Sequence, residues 1–74
     1  MFAAHFLLPL HEVEVVFSNS TDINECLRAL MTLFGVSRSL AAAQVKWRYY
    51  KSEVLSPADW HVINALAPSG GAGA

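Results

Sequence analysis

Hydrophobic and polar residues alternate from His11 to Phe17, with Val13, Val15 and Phe17 on one side and Glu12, Glu14 and Val16 on the other. A period of two marks a half-buried strand, so this stretch is expected to be extended. A lone strand leaves its backbone donors and acceptors unpaired and needs a neighbour. The residues to be paired are Glu12, Val13, Glu14, Val15, Val16 and Phe17. The neighbour is residues 6–8 of the same chain, the same strand of a second copy, or the sheet edge of another protein.

The pattern changes after Ser18–Asp22, a cluster of helix-capping residues. Asp22 followed three positions later by Glu25 resembles a capping box, and both acids suit a helix N-terminus. A first helix is predicted from about Ile23 to Phe34. At 100° per residue Ile23, Cys26, Leu27, Leu30, Met31, Leu33 and Phe34 share its apolar face. Gly35 is expected to close it in the left-handed conformation, with Val36 packing back. Ser37 then caps a second helix, from about Arg38 to Val54. Leu40, Ala43, Trp47, Tyr50 and Val54 line one face of it, and Ala41, Ala42, Val45 and Tyr49 another, which predicts a helix sandwiched between two neighbours. Ser56, Pro57 and Asp59 open a third helix running to about Ala67, with Trp60, Ile63 and Ala67 facing inward.

The expected fold class is therefore mainly α with one N-terminal β-strand (α+β), in the order strand-helix-helix-helix. The apolar arm of residues 1–10 precedes a single small domain over 11–68, and residues 69–74 form a flexible tail. The arm is expected to pack on the domain or to bind a partner.

Composition bounds what such a chain does. Its 74 residues are 54% hydrophobic and only 15% charged. This is near the size at which one core barely suffices, so a homodimer is the expected state. A single cysteine, Cys26, makes no internal disulfide and points to a reducing, cytoplasmic setting. Its place on the apolar face marks it as a small buried hydrophobe and not a nucleophile. No apolar run reaches membrane-spanning length, and residues 1–10 lack the basic start of a signal peptide. His5, His11 and His61 have no ligand spacing, and no Gly-rich phosphate loop is present. No metal, cofactor, small-molecule substrate or enzymatic activity is expected.

Charge adds a sharper feature. Four of the five basic residues, Arg38, Lys46, Arg48 and Lys51, fall between Ser37 and Ser52, a stretch without an acid in a chain of net charge −1. Trp47, Tyr49 and Tyr50 stand among them. On a helical wheel these cations project in several directions, so a solvated rim competes with a nucleic-acid footprint.

From Val13 to about Tyr50 the chain resembles the ribbon-helix-helix family of small repressors and antitoxins. The resemblance rests on a strand, a capped helix with Ile23, Leu27, Leu30 and Phe34, and the turn Gly35-Val36-Ser37-Arg38-Ser39. It implies two chains pairing their strands into a ribbon that enters the DNA major groove. It also implies phosphate contacts at the backbone of Ser37, Arg38 and Ser39. The turn fits an ordinary helix-turn-helix more loosely, with Arg38, Lys46 and Arg48 on the following helix but Leu40 where a solvent-facing residue is usual, so that reading ranks below the ribbon.

The expected function is a non-enzymatic transcription regulator, a DNA-binding homodimer. Ser37, Arg38, Ser39, Lys46, Arg48 and Lys51 would meet the ligand, with Trp47 and Tyr50 beside them. The alternative is a protein-binding inhibitor or adaptor of phage or mobile-element type, docking on host machinery such as RNA polymerase. Glu12 and Glu14 on the strand repel phosphate but suit a basic protein surface, which favours that alternative.

Overall fold

The computed structural model describes residues 8–67. Four helices are present in that range: α1 (Leu10–Ser18), α2 (Ile23–Phe34), α3 (Arg38–Tyr49) and α4 (Pro57–Leu66). Residues 1–7 of the apolar arm and the expected tail at 69–74 lie outside the described residues.

The expected strand is α1, and the α+β fold class is replaced by an all-α one. The pairing assigned to Glu12, Val13, Glu14, Val15, Val16 and Phe17 does not occur, because their backbone groups belong to a helix. The physical reason lies in a second period within the same residues. Val13, Val16 and Phe17 are spaced i, i+3, i+4, and as a helix they point together into the core, where Val13 is 2% exposed. Val15, expected inside, faces outward. The ribbon implied by the family resemblance thus has no strand to form from among the described residues.

The polar cluster after α1 serves two helices. Asn19 Nδ2 and Ser20 Oγ donate to the carbonyls of Val15 and Val16, at 2.9 and 2.7 Å, and so satisfy the end of α1. Asp22 accepts from the Glu25 amide at 2.8 Å and opens α2. Glu25 turns its carboxylate to the Thr21 amide and hydroxyl. Gly35 closes α2 at φ 64°, in the left-handed region, and its amide donates to the Met31 carbonyl at 2.9 Å. Ser37 Oγ then accepts from the Leu40 amide and starts α3. At α4 the reciprocal pair of Ser56 and Asp59 forms a complete capping box, with Pro57 in the first turn.

The core gathers Ile23, Cys26, Leu27 and Leu30 from α2, Ala41, Ala42 and Val45 from α3, Val13 from α1, and Leu55, Ile63 and Ala67 from the C-terminal part. α3 is the central element and touches α1, α2 and α4. Its buried residues are chiefly alanines, whose small side chains allow neighbouring helices to approach closely. The expectation of a helix sandwiched on two apolar faces is half right. The Ala41, Ala42, Val45 and Tyr49 face is packed, but Trp47 and Tyr50 on the other are exposed.

One helix boundary and one apolar-face residue also differ from expectation. α3 ends at Tyr49, where the Ser52 amide returns to the Tyr49 carbonyl and the Ser52 hydroxyl accepts from the Val54 amide. A serine hydroxyl offering local bonds competes with helix continuation. The break carries Leu55 into the core and leaves Val54 54% exposed. Leu33, at the margin of the α2 apolar arc, is 63% exposed.

Candidate nucleic-acid interface

The chain turns through 113° between α2 and α3, across the three residues Gly35, Val36 and Ser37. Each of those residues has a local task. Gly35 supplies the positive φ, Val36 packs on the core, and Ser37 caps α3. Leu30 on α2 and Ala41 on α3 are fully buried on either side of the turn and lock the crossing. Two helices at roughly 90–120°, joined by a short glycine-containing turn, constitute helix-turn-helix geometry.

With Ala41, Ala42 and Val45 turned inward, the opposite arc of α3 carries Ser39, Lys46, Trp47 and Tyr50, while Ala43 is partly buried against the core. Trp47 is 59% exposed and Tyr50 52%. Their rings meet edge to face with centroids 5.5 Å apart, and Lys51 Nζ stands 5.6 Å from the Tyr50 ring centre. This end of α3 is a compact aromatic-cationic surface.

The cations expected to act together are separated by their partners. Arg38 donates to Asn24 Oδ1 at 2.7 Å and ties the start of α3 to α2. Arg48 pairs with Glu14 of α1 and lies 5.6 Å from the Tyr49 ring centre. Its place is therefore a joint between α1 and α3. Lys46 and Lys51 make no ion pair among the described residues. Ser37, Arg38 and Ser39 do come together at the α3 N-terminus, but Ser37 Oγ is engaged in capping. Glu12 is exposed on α1, and Glu14 has become an intramolecular partner.

Sequence reasoning missed Gln44, whose Oε1 accepts from the Leu8 amide at 3.0 Å. It also missed the cleft beside that bond, about 170 Å³, lined by Leu8, Leu10, Val13, Gln44, Trp47 and Arg48. Neither has a local signal, because both depend on α1 crossing α3 as a helix. Tyr49, on the buried side, stacks at a tilt on Phe17 with centroids 4.5 Å apart, and burial pushes its phenol pKa upward.

The Cys26 thiol is fully buried, and desolvation pushes its pKa up to about 11. It stays protonated at neutral pH, which suits a packing role. Among the described residues no cluster of three or more His, Cys, Asp or Glu side chains is placed to hold a metal ion. No single described helix is long and apolar enough to cross a membrane. Comparison with family models, with curated proteins and with solved structures finds no match to this chain.

Proposed function

We propose that the protein is a DNA-binding transcription regulator of helix-turn-helix type, acting by binding and not by catalysis. The observation that carries this is the 113° turn through Gly35-Val36-Ser37 between α2 and α3. That geometry lets the second helix enter a major groove while the first crosses the backbone. The outer arc of α3 suits such an approach. Ser39 is small enough for close contact, and Lys46 reaches past it to a base edge or phosphate. Lys51 and the amides at the start of α3 supply further phosphate contacts. A homodimer would place two such helices one turn of DNA apart.

The test is binding to generic duplex DNA at about 50 and 200 mM salt, where a phosphate-binding protein weakens steeply. Changing Lys46 to Ala should lower affinity and reduce the log–log salt slope by about one. Absence of binding at the lower salt sinks the proposal. A protein partner would then be the better reading, and the exposure of Trp47 and Tyr50 favours it. Buried aromatic anchors commonly dominate protein interfaces.

A further inference from the structure

We propose that the exposed end of α3 binds the unpaired bases of single-stranded DNA. Trp47 and Tyr50 serve as stacking platforms, and Lys46 and Lys51 meet the phosphates. The inference rests on the DNA part of the reading above and not on its helix-turn-helix part. A helix-turn-helix brings the N-terminal residues of its second helix to the base edges. Trp47 and Tyr50 stand at the other end of α3, with Tyr50 at its C-cap. Trp47 is 59% exposed and Tyr50 52%, so both rings present open aromatic surface. Neither belongs to the side chains that read base edges by paired hydrogen bonds, and edges are what a duplex groove displays. A base face is what these rings match. Stacking of that kind is strong and tolerates any base, but it requires the base to be free.

The inclination of the rings points the same way. Their planes meet at 72° with centroids 5.5 Å apart. Two bases lying on rings so inclined are splayed from one another. The regular stack of a duplex forbids that, and a flexible single strand allows it.

Charge complementarity supplies the backbone contacts. Lys46 and Tyr50 are spaced i, i+4, as are Trp47 and Lys51, so each ring has a cation about one turn away. Lys51 Nζ stands 5.6 Å from the Tyr50 ring centre, and its flexible stem lets it pass from the ring to a phosphate. Neither lysine makes an ion pair among the described residues, whereas Arg48 is held by Glu14. Two open rings beside two unpaired cations match the alternation of base and phosphate along a strand.

Indole fluorescence tests this directly. In a Trp60→Phe background Trp47 is the sole indole, and a short oligothymidylate should quench it at about 50 mM salt. An abasic strand of equal length should bind far more weakly, because it keeps the charge and lacks the bases. With a dye-labelled oligothymidylate, Trp47→Ala should lower affinity about 5- to 150-fold. Lys51→Ala should reduce the log–log salt slope by about 0.7. In the unmodified chain, the Trp47 indole N–H resonance should shift as oligothymidylate is added. Equal affinity for the abasic and thymidylate strands overturns the proposal. So does equal quenching by polyglutamate, since an acidic protein is then the better ligand, and so does tighter binding of oligouridylate. If duplex DNA binds and oligothymidylate does not, this inference falls and the helix-turn-helix reading stands. If oligothymidylate binds and duplex does not, the outcome is reversed.

Discussion

The two faces of α3 do opposite things with opposite material. The inner face presents Ala41, Ala42 and Val45, all with no exposed surface, and fixes how closely α2 and α4 approach. The outer face holds the large side chains Trp47 and Tyr50, each more than half exposed. A stability-driven helix would bury the indole and expose the alanines. Here small residues fill the helix crossing, and the large ones stand exposed. Breaking the comparison is direct. Leu30→Ala, which opens a cavity where α2 meets α3, should cost about 2–5 kcal/mol in denaturant unfolding. Trp47→Ala should cost far less, on the order of 0.5 kcal/mol, while weakening partner binding. Equal losses in the two variants would mean that the outer face is structural.

How much of this was legible depends on the length of each pattern. α2 shows its apolar arc over twelve residues, enough turns for only one period to fit. Gly35, Ser37 and the Ser56–Asp59 box announce helix ends by local chemistry, and each stands where expected. The His11–Phe17 stretch is too short to separate a period of two from 3.6, and its valines favour the strand reading. The decision comes from distant contacts, Phe17 on Tyr49 and Glu14 on Arg48. Misreading α1 therefore hid the partner of Arg48, and with it the cleft and the role of Gln44. The end of α3 was obscure for a related reason: the burial of Leu55, a tertiary event, rewards the break at Ser52.

The Glu14–Arg48 pair sharpens the comparison at the edge between the two faces. Both side chains are partly exposed, so screening limits the pair's worth. A double-mutant cycle with Glu14→Ala and Arg48→Ala should give a coupling of about 0.2–1 kcal/mol, falling with added salt. A coupling of several kcal/mol would place the pair inside the structural face. Zero coupling would return Arg48 to the surface offered to a partner.

The smallest expected effect lies at the start of α2. Glu25 accepts the Thr21 amide and, at 2.8 Å, the Thr21 hydroxyl, and these bonds hold its pKa below the ordinary carboxylate value; nearby Asp22 works against them. A lowered folded-state pKa stabilises the ionised form, so its contribution is complete above the unfolded-state value of about 4.3. It is lost as pH falls through the lowered folded value. Glu25→Gln keeps an acceptor but removes the charge. Melting temperatures of wild type and variant should therefore differ most near neutral pH and converge as pH falls below about 4. A gap that stays constant into acid would show that the Thr21 bonds hold the side chain without favouring its charge. The start of α2 would then rest on the Asp22 cap alone, and the turn that aims α3 would be independent of pH at that end.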